Sequence, residues 1–377
     1  MTTSSSWAPR YRLTPAMARA LMEVGAAAAV VEHVAIPPAI HEELRHRARL
    51  RSTHFSTRIE GNRLTLAEAE KAIGAIGENR APFHGRERDV TEVRNYWNAL
   101  LRVEEWAASG RPLTEELIQR IHGLVERGAR ARPSAWRDGQ NVIRDSESGA
   151  IVYLPPEAKD VPLLMSGLVS WVRQVEEEQL PVPIIAGLAH YQFVTIHPYY
   201  DGNGRTARLL ATFLLHRGGH GLQGLFSLEE HHARDLAAYY GSLAVHPHHN
   251  YYEGRAEADL TPWLEYFLNT LAGVFTAAKN EALRAAEAGI SLEPEALRRL
   301  EPRARTVLGL FARHERITAH QVAAALGLSE RSARLLLRKW VGQGWIEVAD
   351  SARRTRAYSL SAIYRQFIGN PSADPER

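Results

Sequence analysis

Residues 197–208 read His197-Pro198-Tyr199-Tyr200-Asp201-Gly202-Asn203-Gly204-Arg205-Thr206-Ala207-Arg208. Ahead of them, residues 186–196 form an apolar helical run; behind them, Leu209, Leu210, Phe213 and Leu214 recur at helical spacing. The glycines therefore fall in a tight loop that feeds the N-terminus of a helix. Such an end offers backbone N–H groups without internal partners and the positive pole of the helix dipole, a ready site for phosphate. Arg205 and Arg208 stand three residues apart, so both project from one face of the new helix toward the same ligand. Asp201 supplies a hard carboxylate oxygen suited to Mg2+ shared with phosphates. His197 is a side chain able to take a proton near neutral pH. A lone Gly-Asn-Gly would mean only a turn between helices; here anion cradle, metal ligand, cations and base share one short segment.

Outward from this stretch the chain reads as helix after helix, so the expected fold class is mostly α. Pro37-Pro38 opens a helical pattern, since proline is tolerated in a first turn, and Gly61-Asn62 stops it. Thr65-Leu66-Ala67-Glu68 has the form of a capping box and starts another helix. Helical patterns continue over 89–108, 114–126, 161–178 and 183–196. The exception is 131–156, where Val142-Ile143-Arg144 and Ala150-Ile151-Val152-Tyr153 flank Asp145-Ser146-Glu147-Ser148-Gly149, a hairpin signal. A solitary hairpin is marginal and is expected to lean on another element.

The stretch 197–208 resembles the signature of the Fic family, His-Pro-Phe-x-(Asp/Glu)-Gly-Asn-Gly-Arg-x-x-Arg, with Tyr199 in place of the phenylalanine. That position usually packs inward, so the Tyr199 hydroxyl is expected to need a partner. The resemblance implies a Fic-type helical core with a β-hairpin flap that transfers AMP from ATP to a Ser, Thr or Tyr hydroxyl of a target protein. It implies that His197 deprotonates the hydroxyl and that Asp201 holds Mg2+. Gly202, Asn203, Gly204 and Arg205 would hold the phosphates, with Arg208 reaching for the γ-phosphate. The hairpin with Asn141, Val142, Ile143 and Arg144 resembles the Fic flap, to which a target adds as a strand through its main chain. Tyr239, Tyr240 and Asn250 resemble residues beside the adenine; their other reading is ordinary helix packing. The likeness runs over roughly residues 36–271.

Ser56-Thr57-Arg58-Ile59-Glu60-Gly61 matches the (Ser/Thr)-x-x-x-Glu-(Gly/Asn) motif of Fic inhibitory helices, with Ser56, Glu60 and Gly61 at its defining positions. By itself the pattern is also that of a solvated helix end. The resemblance implies that Glu60 pairs with Arg208 and takes away the cation meant for the γ-phosphate. ATP would then bind with its α-phosphate poorly aimed for in-line attack. The same carboxylate could orient a water that removes AMP from a modified protein, so transferase and hydrolase directions both stay open.

Composition shifts near 289–302, where glycine and two prolines interrupt the helical pattern. Beyond, 303–313 reads as a helix, and Thr318-Ala319-His320-Gln321 is a second capping box that opens a helix over 319–326. Gly327 makes the turn, Ser329 caps a helix over 330–341, and 345–348 and 357–360 read as strands. The order resembles a winged helix-turn-helix. Arg331, Arg334, Arg338 and Lys339 on its recognition helix and Arg353, Arg354 and Arg356 at the wing tip suit phosphate contacts and groove entry. DNA is therefore an expected partner, with protein contact or a homodimer as the alternative use. A DNA-binding regulator with a sensory Fic domain is the alternative function. The expected organisation is a helical segment over 1–110 with the inhibitory helix at about 38–61, a core over 111–290, the winged helix over 302–368, and a disordered tail over 369–377.

The chain has 377 residues, 45% hydrophobic and 24% charged, which is globular composition at a length for more than one domain. A net charge of +3 does not in itself argue for nucleic acid. The lack of cysteine excludes disulfide scaffolds, cysteine zinc sites and thiol nucleophiles. No run is apolar for long enough to span a bilayer, and the start lacks the apolar core of a signal peptide, so no membrane partner and a cytoplasmic location are expected. His231-His232 and His246-Pro247-His248-His249 lack companions at metal-ligand spacing and are not read as a metal site.

Overall fold

The computed structural model describes residues 7–74, 83, 86–144, 149–292, 300–312, 314–350 and 356–365. Two compact units divide the chain: Met1–Glu32 with Arg45–Lys279, and His33–Leu44 with Asn280–Arg377. Among the described residues the fold is mostly helical, as expected. The order begins α1 (Pro15–His33), α2 (Pro38–Ile59), α3 (Leu66–Gly74), α4 (Glu87–Ala108) and α5 (Glu115–Arg127). A hairpin of β1 (Ile143–Arg144) and β2 (Ile151–Tyr153) follows, then α6 (Val161–Glu177), α7 (Val182–Ile196) and α8 (Asn203–Arg217). Next come α9 (Leu228–Arg234), α10 (Leu236–Leu243) and α11 (Thr261–Leu292).

Local chemistry sets these boundaries. At α3 the Glu68 N–H donates to Thr65 Oγ1 at 3.3 Å while the Thr65 N–H donates to Glu68 Oε2 at 2.8 Å, the reciprocal capping box the sequence announces. Thr114, Ser227 and Asp235 cap α5, α9 and α10 with side-chain oxygens. Beyond the end of α2, Gly61 turns the chain at φ +93°, a conformation that penalises any side chain. α7 is apolar on nearly every side and buried on nearly every side, the expected fate of a helix without a polar face. It packs chiefly on α8, which also rests on α4 and α5. The 197–202 loop joining α7 to α8 is thereby held from several directions.

The hairpin is shorter than the sequence suggests. Ile143 pairs with Tyr153 and Arg144 with Ile151, and residues 145–148 lie outside the described residues. As expected it leans on something: Leu154 donates to the His249 carbonyl at 2.6 Å and accepts from the Tyr251 N–H at 3.0 Å. The Tyr153 hydroxyl donates to the Thr195 carbonyl on α7 at 2.7 Å, tying the hairpin to the helix that carries the loop.

The second unit contains α12 (Pro302–Leu308), β3 (Ile317–Thr318), α13 (Ala319–Leu326), α14 (Glu330–Gly342), β4 (Ile346–Asp350), β5 (Ala357–Leu360) and α15 (Ala362–Arg365). The helix expected over 303–313 ends at Leu308 and tightens into a 3-10 turn over Gly309–Ala312. The three strands run in the order β3-β5-β4, antiparallel, and β3 was not foreseen because two residues carry no period. Thr318 and Gln321 form a complete capping box, and Gly327 turns at φ +63°. Val307, Phe311, Ile317, Val322, Leu337 and Trp340 lie in one apolar cluster. Arg331, Arg334 and Arg338 are exposed on the opposite face of α14 from Ala333, Leu337 and Trp340, and Arg356 is exposed. Arg353 and Arg354, like the tail expected over 369–377, lie outside the described residues.

Candidate active site

The loop between α7 and α8 begins at His197, which sits in the left-handed region at φ +51°, ψ +60°. That conformation is disfavoured for a residue with a Cβ and persists only where neighbours hold it. Arg137 is the holder. Its Nε donates to the His197 carbonyl at 3.0 Å, its backbone N–H to the Pro198 carbonyl at 2.9 Å, and its guanidinium also reaches the carbonyls of Gly139 and Pro156. Asn203 clamps the next residue, accepting from the Tyr199 N–H at 3.0 Å and donating to its carbonyl at 2.8 Å.

The His197 ring is defined by one contact. Nδ1 lies 3.3 Å from the Val194 carbonyl, which can only accept, so Nδ1 carries the proton and Nε2 keeps its lone pair. Burial pushes its pKa down to about 4, with the Val194 carbonyl and Glu60 opposing. The ring is thus neutral at physiological pH rather than poised at its midpoint, as its ordinary pKa had suggested.

Tyr199 packs inward, stacked on His122 with ring centroids 3.5 Å apart and planes 12° from parallel. Among the described residues its hydroxyl has no hydrogen-bond partner, contrary to expectation. The ring does the packing that a phenylalanine would do, and burial raises the phenol pKa. His122 itself is fixed between Ser134 Oγ at 2.7 Å and the Asp201 carbonyl at 3.0 Å, and burial holds its pKa at about 4.

Asp201 Oδ1 accepts from the Gly202 N–H at 2.6 Å and faces Arg205 at 3.3 Å. Oδ2 lies 4.0 Å from Arg88 on a side chain 60% exposed, so this oxygen can turn to a hydrated cation. A single accessible carboxylate fits Mg2+, which keeps several waters and takes its other ligands from phosphates. Gly202 is at φ +74°, and a side chain on it would strike Glu126. A side chain on Gly204 would strike Glu60. Both cations of the motif are already engaged: Arg205 pairs with Glu126 at 3.0 Å, and Arg208 pairs with Glu60 at 2.8 Å. Arg208 also donates to Ser56 Oγ and to the Ser56 carbonyl, each at 2.9 Å. Burial works against the Arg208 charge, but Glu60, with Tyr239 and Tyr96, holds the guanidinium pKa above its ordinary value.

Of the residues expected beside an adenine, Tyr239 and Tyr240 have ring centroids 5.3 Å apart. Tyr239 is 1% exposed, stacked against His232, with its hydroxyl 3.1 Å from His190 Nε2; it presents no face to a ligand in this conformation. Tyr240, 48% exposed, does. Asn250 caps the turn after it, accepting from the Tyr252 N–H at 3.1 Å, beside the root of the hairpin. On the hairpin, Asn141 Nδ2 donates to the Tyr199 carbonyl at 3.1 Å, and Asn141 Oδ1 accepts from the Val142 N–H at 2.8 Å. Ile143 and Arg144 are the paired residues of β1. Sequence reading missed Arg137, His122 and Glu126. Each meets the loop only through the fold, and none stands in a pattern that marks it.

Residues 112–215 match the Fic/DOC family. A Drosophila grimshawi protein named protein adenylyltransferase Fic is 31% identical over 173 residues, covering 44% of this chain and 33% of its own length. The chain thus spans about a third of the curated relatives it matches. Among solved structures, a Fic family protein from Desulfovibrio desulfuricans G20 is similar over 94% of this chain and 99% of its own, with a TM-score of 0.59 and 26% identity. Fic-1 from C. elegans shares the fold at 22% identity and a TM-score of 0.54, over 72% of this chain and 73% of its own. With the signature at 197–208 in an inter-helix loop inside the matched stretch, residues 112–215 carry a Fic/DOC domain.

Proposed function

We propose that this protein transfers AMP from ATP to a Ser, Thr or Tyr hydroxyl of a target protein, and that Glu60 restrains it. Relatives named protein adenylyltransferase support the reaction class. The observation that carries the restraint is the Glu60–Arg208 ion pair at the N-terminus of α8. Glu60 fills the space beside Gly204 where an anion would meet the free N–H groups of the first turn.

In the reaction, Nε2 of His197 takes the proton of the acceptor hydroxyl as its oxygen attacks the α-phosphorus. The bond from that phosphorus to the β-phosphate bridging oxygen breaks, and pyrophosphate leaves. Asn203 and Gly204 offer backbone N–H groups to the phosphates, and Arg205 and Arg208 their charge; the Gly202 N–H is taken by Asp201 Oδ1, and the Asn203 side chain serves the Tyr199 backbone. Asp201 would hold Mg2+, which when bound neutralises phosphate charge. Tyr240 is the accessible candidate for the adenine, and the edge strand over Ile143–Arg144 the candidate for a target backbone.

The hydrolase direction draws support from the Glu60 side chain, which stays 27% exposed and so could orient a water. Incubating a Glu60→Gly variant with labelled ATP and lysate tests the primary reading: label should appear on protein. Label lost from a pre-modified target with the parent protein, and kept with Glu60→Gly, would favour the hydrolase. No helix among the described residues is long and apolar enough to cross a membrane; we infer a cytoplasmic location. For residues 302–368 we infer a winged helix that binds DNA through the exposed Arg331, Arg334, Arg338 and Arg356.

A further inference from the structure

Ser52, Ser56 and Glu60 follow one another at four-residue steps along and just beyond α2, so they lie in one stripe. All three are bound by other elements. Arg208 on α8 holds Glu60 and Ser56. Ser52 is held elsewhere: its Oγ donates to Glu229 Oε2 on α9 at 2.9 Å.

Glu229 is 2% exposed, a costly place for a carboxylate unless hydrogen bonds compensate. Three hydroxyls from three parts of the chain supply them. Besides Ser52, the Tyr96 hydroxyl on α4 donates to Oε1 at 3.0 Å, and Ser227 Oγ to Oε2 at 3.2 Å. Tyr96 is wholly buried, so this is a fixed point in the core. Glu60, by contrast, follows the last helical residue of α2 and precedes Gly61, where helix ends fray. Its position over Arg208 depends on how firmly the two preceding turns are held. One is held by Arg208 itself; the other is held to α9 by the buried Ser52–Glu229 bond, beside a longer and more exposed Arg51–Glu230 pair at 3.5 Å.

We propose that Glu229 is a positioning residue for the restraint: through Ser52 it pins α2 so that Glu60 stays on Arg208. Loosening that pin releases the site without altering the ion pair itself. This rests on the inhibitory reading of Glu60.

The test uses the full chain and Ser52→Ala, which removes the pin and leaves Glu229 its bonds from Tyr96 and Ser227. ATP-dependent protein labelling should rise on the order of three- to tenfold, the weight of one buried hydrogen bond. Ser52→Thr, which keeps the hydroxyl, should stay at the parent level. In a Glu60→Gly background Ser52→Ala should add nothing, because the restraint it serves is already gone. Independently of activity, the amides at 56–60 should exchange faster in Ser52→Ala while those of α7 and α8 keep their protection. Unchanged exchange at 56–60, or a Ser52→Ala effect that multiplies with Glu60→Gly, would overturn the pin. A Glu60→Gly variant no more active than the parent sinks the inhibitory reading instead, and the exchange measurement still decides whether Ser52 holds α2.

Discussion

Glu60 Oε1 lies 2.8 Å from Arg208 Nη2, and the same carboxylate occupies the space a side chain on Gly204 would need. One acidic group thus contacts the cation and fills the space beside the first turn of α8 together. Glu60→Gly should raise labelling of target protein well above the parent. The vacated Arg208, 2% exposed, would keep its bonds to Ser56 but lose its carboxylate, so the variant should melt lower than the parent without ATP. ATP should then raise the melting temperature more in the variant than in the parent, since its phosphates take the place of the carboxylate. Equal ATP shifts in the two proteins would separate Glu60 from the nucleotide site.

The base should work far into acid. As the proposed base His197 would act when neutral, and burial holds its pKa at about 4; removing Glu60 takes away an influence that raises it. The acid limb of kcat/KM in Glu60→Gly should therefore fall below about pH 5 rather than near 6.5, provided the protein stays folded. His197→Ala in that background should bind ATP yet lose transfer by about 10²–10⁴-fold or more. A limb centred between pH 6 and 7 would assign the titration to another group.

Buried histidines also tie stability to pH. His122, His197 and His216 are pushed down to about 4 and His190 to about 3, each chiefly by burial. Each is neutral in the folded protein while the unfolded chain takes up a proton near 6.5, so the unfolded state binds more protons between the two values. Their contribution is complete above about pH 6.5 and is lost as pH falls through about 4. Melting temperature measured from pH 8 to 4 should drop on the acid side of 6.5; a flat curve to pH 4.5 would contradict the burial.

Tyr199→Phe removes a buried hydroxyl without a partner and leaves the stack on His122 intact. The variant should be as stable as the parent or more stable, by about 1 kcal/mol. Chemical denaturation reads this directly, and a loss of more than that would reveal a bond from the hydroxyl to water.

DNA binding by the second unit should be steep in salt, since each neutralised phosphate releases counterion. Changing Arg331, Arg338 and Arg356 to alanine should reduce the slope of log affinity against log salt by about 1 per lost contact, and leave labelling of target protein unchanged. No binding to mixed-sequence duplex at low salt would turn the inference toward protein contact or a homodimer.

What could be read before any fold was known is what neighbours in sequence determine. Glycine at a left-handed turn, a helix N-terminus opened by it, two arginines on one face and a carboxylate beside them are properties of residues 197–208 alone. The capping boxes at Thr65 and Thr318 are likewise complete within four residues, and the helices began where they said. The Ser52 step ahead of Ser56 and Glu60 was readable in the same way, although its partner was not. Tertiary structure decided everything that crosses the chain: Arg137 on the carbonyl of His197, sixty residues on, and Ser52 on Glu229, at a separation of 177. Periodicity says which face of a helix leaves water, because that depends on the helix itself. It does not say which buried group waits opposite, because that depends on how α2, α4, α8 and α9 pack, and the burial that drives the packing is non-directional.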